Sequence, residues 1–164
     1  MRSILVMFLA LAPLSSSALA ARCQSSPQAN VPPADSDSAA VRKAAEAFIE
    51  AFNNLEWEKF SRSFSDDATV FFPFSQVPRR ASGRAEVERV FKLFFDELRK
   101  RKPGPPYQNI VPQEVMVQML GNAAVVTFHL GGDESVSRRT LVLQKQKGEW
   151  LITHLHASSV AKPK

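Results

Sequence analysis

The segment Gly148-Glu149-Trp150-Leu151-Ile152-Thr153-His154-Leu155-His156-Ala157-Ser158 decides the fold of this chain, and it holds one of the two Trp and two of the three His. A strand sends successive side chains to opposite faces. Uninterrupted alternation therefore puts Trp150, Ile152, His154 and His156 on one side and Leu151, Thr153, Leu155 and Ala157 on the other. Neither side is a water face. A sheet that is apolar on both sides needs cover on both, and with so few helices in the sequence the second cover is expected to be another subunit.

Upstream of this strand, three more alternating segments are separated by turn residues: 113 to 120, 123 to 130 and 135 to 146, with Gly121-Asn122, Gly131-Gly132-Asp133 and Lys147-Gly148 between them. The earlier part of the domain is mostly helical. Asp37 or Ser38 is expected to cap a helix whose apolar positions are Val41, Ala44, Ala45, Phe48 and Phe52, ending near Asn53-Asn54. A short helix from Leu55 to Phe64 carries Trp57, Phe60 and Phe64 on one stripe. Ala68 to Phe72 is β-branched and aromatic and stops at Pro73, as a strand would. Gly83 opens a third helix with Val87, Val90, Phe91, Phe94 and Leu98 on one face, and Lys102-Pro103-Gly104-Pro105-Pro106 ends it. The order α-α-β-α-β-β-β-β predicts an α+β domain in which a curved antiparallel sheet wraps around the long third helix, leaving a cone with an open mouth.

At the start of the chain, Met1 to Ala20 has one basic residue, Arg2, an apolar run from Ile4 to Leu14 and the small-x-small sequence Ala18-Leu19-Ala20. This pattern predicts a secretory signal cleaved near Ala20, giving a secreted or periplasmic protein. The apolar run is about half the ~20 residues of a membrane span, so no membrane anchor is expected after cleavage. Cys23 follows closely, but Arg22 stands where lipoprotein processing requires a small residue, and a single Cys forms no internal disulfide. Residues 21 to 36 are polar and proline-bearing and read as a disordered leader. The domain is then 37 to 160, with 161 to 164 as a tail. The net charge of +5 is concentrated in Arg99-Lys100-Arg101-Lys102, where cations offset the end of a helix dipole. No aromatic residues interleave with that run, so no nucleic-acid partner is expected.

The order of elements, together with Phe64-Ser65-Asp66-Asp67-Ala68-Thr69-Val70, Gly83-Arg84 and the closing Gly-Glu-Trp-Leu-Ile-Thr-His-Leu-His-Ala-Ser, resembles the nuclear transport factor 2-like (SnoaL-like) superfamily over about residues 38 to 159. The closing strand is similar to the one that ends the association domain of calcium/calmodulin-dependent protein kinase II. The resemblance implies a cystatin-like cone. Laid on the ketosteroid isomerases of the superfamily, the position of the general-base Asp is Phe72, followed by Pro73, and that of the oxyanion-donating Tyr is Phe48. A phenyl ring neither takes a proton nor donates to an enolate, so that mechanism is excluded.

The candidate contacts for a ligand in the cone are Arg139, Thr153, Tyr107, Phe48 and Phe72. Arg139 shares parity with Leu141 and Leu143, and the association domain carries a cavity arginine on the same strand, although an ungapped alignment from the Trp sets that arginine on Leu141. An Arg at a strand end reaching into water is the alternative. Thr153 reads equally as a β-former packed in the sheet, and Tyr107 as an aromatic closing the cone's edge. The candidate dimer interface is Trp150, Ile152, His154 and His156 with Val142. His154 and His156 point the same way, with His129 on a neighbouring strand, but no acid or Cys is placed to complete a metal set, so neither a metal nor a cofactor is expected. Three functions follow: a homodimer that binds a small apolar or amphipathic ligand without isomerase chemistry, a small lyase, isomerase or hydrolase using a His, or a structural association module. Fold alone does not separate them.

Overall fold

The computed structural model describes residues 34–132 and 134–162. The signal segment, Cys23, most of the leader, Asp133 and the last two residues lie outside the described residues. The elements are α1 (Ala34–Asn53), α2 (Trp57–Arg62), β1 (Phe64–Phe71), β2 (Ala81–Ser82), α3 (Arg84–Arg101), β3 (Gln113–Leu120), β4 (Ala123–Gly131), β5 (Ser135–Gln146) and β6 (Glu149–Ala161). They form an α+β fold with one curved, unclosed six-stranded sheet in the order β2-β1-β6-β5-β4-β3. The helices cover its concave face, with α1 against β3, β4 and β6 and α3 against β1 and β2.

The expected meander is present, since β3 to β6 pair antiparallel in succession. One pairing is added that alternation does not reveal: β1 lies parallel to β6. A parallel pair requires a long crossover, and α3 with β3, β4 and β5 supplies it.

At its start, α1 departs from expectation. It is already helical at Ala34, so neither Asp37 nor Ser38 is its cap. The Asp37 carboxylate instead meets Lys145 Nζ at 2.7 Å, tying the helix to β5. The second helix is shorter than predicted because Phe64 turns over to the strand. It keeps its place in the core all the same: Phe60 packs against Phe48, Phe64, Phe91 and Phe95 at centroid distances of 4.7–5.4 Å. On α3, Phe95 is fully buried beside the expected Val87, Val90, Phe91 and Leu98, and Phe94 faces the cavity described below.

The junction of α2, β1 and α3 explains the Ser-Asp-Asp and Gly-Arg pieces of the sequence. Arg84 donates through Nε to Asp66 Oδ1 (2.8 Å), through Nη1 to the Ser61 carbonyl (3.1 Å) and through Nη2 to the Phe64 carbonyl (2.6 Å). Gly83 precedes it at φ 82° and ψ 150°, a conformation that only glycine adopts without strain, and its N–H donates to the Ala68 carbonyl. These residues hold the first strand to the third helix and bear on architecture, not chemistry.

The closing strand corrects the parity assignment. Across β5 the register runs Val142↔His154 and then Leu143↔Ile152, so Thr153 is an extra residue, a β-bulge. Its Oγ1 donates to the Val142 carbonyl (3.2 Å). The pairing of β6 with β1 shifts in the same place, between Phe64↔Ile152 and Thr69↔His154. One inserted residue reverses the faces. Trp150 and Ile152 therefore point inward with Leu155 and Ala157, all at 8% exposure or less. Leu151, His154 and His156 lie on the outer face. Trp150 and Ile152 are core residues of the single chain, not the outward interface anchors expected from uninterrupted alternation.

Candidate functional site

Between α1, α3 and the inner face of the sheet lies a cavity of about 220 Å³. Seven of its lining residues are Phe: Phe48 and Phe52 from α1, Phe91 and Phe94 from α3, Phe128 from β4, and Phe72 and Phe74 beyond the end of β1. These rings contact one another, with Phe72–Phe91 at 4.9 Å, Phe74–Phe94 at 5.1 Å and Phe52–Phe94 at 5.8 Å between centroids. The helical spacing of Phe48 and Phe52 on α1 and of Phe91 and Phe94 on α3 is what aims both pairs at one space.

Two lining residues have polar side chains, Arg139 and Gln108. Arg139 sits on the inner face of β5, paired in register with Phe128 on one side and Ala157 on the other. Its Nη1 donates to the carbonyls of Arg138 (3.0 Å) and Ser158 (3.4 Å). Burial pushes its pKa below the ordinary guanidinium value, yet an arginine remains charged at any physiological pH. Gln108 stands at the mouth, its amide donating to the Tyr107 carbonyl (3.1 Å).

The mouth is held by a residue that the sequence reading passed over. Asn53, at the end of α1, donates through Nδ2 to the Ile110 carbonyl (3.1 Å) and accepts through Oδ1 from the Ile110 N–H (2.8 Å). Its own carbonyl accepts from the N–H groups of Tyr107 and Gln108. Four bonds from one residue strap segment 107–110 over the cavity and place Gln108 and Ile110 on its rim. The available signal was an Asn at a helix end facing a proline-bounded polar stretch, a residue type that bonds readily to backbone.

Of the five ligand-contact candidates, the structure brings together Arg139, Phe48 and Phe72 in this cavity. It does not bring in the other two. Thr153 bonds to the backbone at the bulge, and Tyr107 packs half-buried against the core at the strap. The outer face carries His154, His156 and Val142. His154 Nδ1 lies 2.8 Å from Thr69 Oγ1, and Phe71 packs on both imidazoles at 5.9 and 5.6 Å. The His154 pKa is lowered, first by burial and then by the nearby His156 and Arg80. His129 sits beside Glu114 at 3.8 Å, separated from β6 by β5. Among the described residues, no group of three His, Cys, Asp or Glu side chains converges.

The cavity wall thus provides hydrocarbon, one cation and one amide. Among the described residues it contains no Asp, Glu, His, Tyr, Cys or Lys side chain, so none of the usual proton-transfer groups among them borders the space.

A family model described as SnoaL-like domain matches residues 41–162. Among solved structures, the fold is similar to that of an NTF2-like protein from Pseudomonas putida KT2440 (18% identity over 76% of this chain and 87% of that one, TM-score 0.63). It is also similar to a ketosteroid isomerase-like protein from Erwinia carotovora atroseptica SCRI1043 (21% identity, 77% and 98% covered, TM-score 0.60). The association domain of C. elegans CaMKII is a third such structure (16% identity, 76% and 96% covered, TM-score 0.56). A search of curated proteins returns no match. With the family model spanning the strap, the cavity and the whole sheet, the chain belongs to the SnoaL-like domain family.

Proposed function

We propose that this chain is an exported, noncatalytic binding protein that forms a homodimer and holds a small apolar or amphipathic molecule in the cavity beneath α1 and α3. The observation that supports it is the wall itself: a phenyl-lined space of about 220 Å³ bordered, among the described residues, by no acid–base side chain. A cavity of about 150 Å³ lined by apolar side chains holds benzene, and drug-sized ligands need ~300 Å³ or more. A ligand with one ring and a short chain lies between these limits.

Calorimetric titration of the protein with 3-phenylpropan-1-ol tests it. Binding is expected in the native chain and should be lost in Ala157→Phe, which fills the cavity from β6. Equal heats from both proteins would refute the assignment. With Phe72 and Phe48 in the positions of base and oxyanion donor, no conjugated enone should form from a Δ5-3-ketosteroid at any pH.

The dimer reading now rests on the outer face of β1, β6, β5, β4 and β3, where Phe71, Val142, Val125 and Met116 flank the two His in adjoining register rows. Met116 is 51% and Phe71 39% exposed, and aromatic anchors beside satisfiable polar groups suit an interface. Sedimentation should give twice the chain mass at micromolar concentration, and Val142→Arg should halve it. A monomeric native chain would sink this part of the proposal.

A further inference from the structure

The charge inside the cavity is chemically specific. Other half-buried cations of the domain are neutralised: Arg84 lies 2.8 Å from Asp66 and Lys145 lies 2.7 Å from Asp37. Arg139 is held in a cross-strand row between Phe128 and Ala157. Among the described residues it has no carboxylate within ion-pair distance. Nη1 donates both of its hydrogen bonds, so the Nε–Nη2 edge, the side of the guanidinium that grips a carboxylate with two parallel N–H bonds, meets no acceptor among the described residues. An uncompensated charge among apolar side chains is costly, and an anion on it would offset that cost.

We infer that the cavity selects a monoanionic aryl- or alkyl-carboxylate, with its carboxylate on the Nε–Nη2 edge of Arg139 and its apolar body among the phenyl rings. This rests on the ligand-binding function proposed above and names the ligand's class. One cation in the wall matches one negative charge. A phosphate monoester would bring a second charge into the same apolar space with nothing to balance it. The volume of about 220 Å³ holds a single ring with a short acid side chain, or a medium-length alkyl chain. The headgroup end is fixed by β5 and the tail end by α1 and α3, so the acid enters with a defined orientation.

The test is calorimetric titration of the full chain at neutral pH with sodium 3-phenylpropanoate and with its neutral counterpart 3-phenylpropan-1-ol, in the native protein and in Arg139→Met and Arg139→Lys. The native chain should prefer the acid by about tenfold or more, the scale of a hydrogen-bonded charge contact. Arg139→Met should lose the preference, its affinity for the acid falling to that for the alcohol; a native-like circular dichroism spectrum and a cooperative urea transition check that it is folded. Arg139→Lys should keep part of the preference, because it keeps the charge without the two-donor edge. Equal binding of acid and alcohol by the native chain, or a preference that survives Arg139→Met, would overturn the carboxylate assignment while leaving a ligand-binding cavity in place. Failure of the native chain to bind either compound would overturn both.

Discussion

Trp150→Phe should leave the stability of this protein almost unchanged, whereas Trp150→Ala should be severely destabilising. Trp150 is 8% exposed on the inner face of β6, and its indole N–H is buried with no acceptor among the described residues. Replacing indole by phenyl removes roughly two carbons' worth of buried surface, about 1.6 kcal/mol at ~0.8 kcal/mol per buried CH₂. The cation–π contact with Lys145, 5.8 Å from the ring, adds about 0.5 kcal/mol to the loss. Against this, removing a buried donor without a partner returns about 1–3 kcal/mol. The terms offset one another to within about 1 kcal/mol. Alanine keeps neither the ring nor its packing and should cost about 3–5 kcal/mol. Urea denaturation followed by circular dichroism gives both values from the shift in midpoint, provided the slopes agree. If the Phe variant falls as far as the Ala variant, the indole N–H has a partner and this account of the inner face is wrong. If neither variant moves the midpoint, Trp150 is not a core residue and the bulge at Thr153 is misplaced.

Asn53→Ala removes both side-chain bonds to Ile110 and should cost about 1–3 kcal/mol. The effect should be local: hydrogen exchange of the 107–110 amides should accelerate while that of the β5 and β6 amides stays unchanged, and uniform acceleration would show that the strap is not separable from the core. His154 supplies a pH signature. Its folded pKa lies below the ordinary histidine value because burial, then His156 and Arg80, disfavour its charged form. Between the folded and unfolded values the unfolded chain holds more protons, so stability rises with pH. The contribution is present above about pH 6.5, the ordinary value, and is lost as pH falls through the lowered folded value. In His154→Gln this part of the pH dependence should vanish in denaturation midpoints measured from neutral to mildly acidic pH. A slope that persists unchanged would assign it to another group.

The residues by themselves determine the elements and their order, because helical and strand periodicities are local properties of the side chains. The spacing of Val41, Ala45, Phe48 and Phe52, the turn residues Gly121-Asn122 and Lys147-Gly148, and the proline stop after Lys102 give α1, the β3–β6 meander and the end of α3 within a few residues. The Phe at positions 48 and 72 are equally plain in the sequence, and both line the cavity. The faces of the closing strand were settled elsewhere. Alternation is counted from residue to residue, and one extra residue at Thr153, seated by its bond to the Val142 carbonyl, reverses every assignment on the N-terminal side of the bulge. The spacing of three from Ile152 to Leu155 is the only trace of it in the sequence. Asn53 took its role as the latch of the mouth, and Arg139 its place beside Phe128 and Ala157, only through tertiary structure. Both depend on groups far apart in the chain, 57 residues in the case of Asn53 and Ile110, and no local pattern records which distant backbone or ring a side chain will meet.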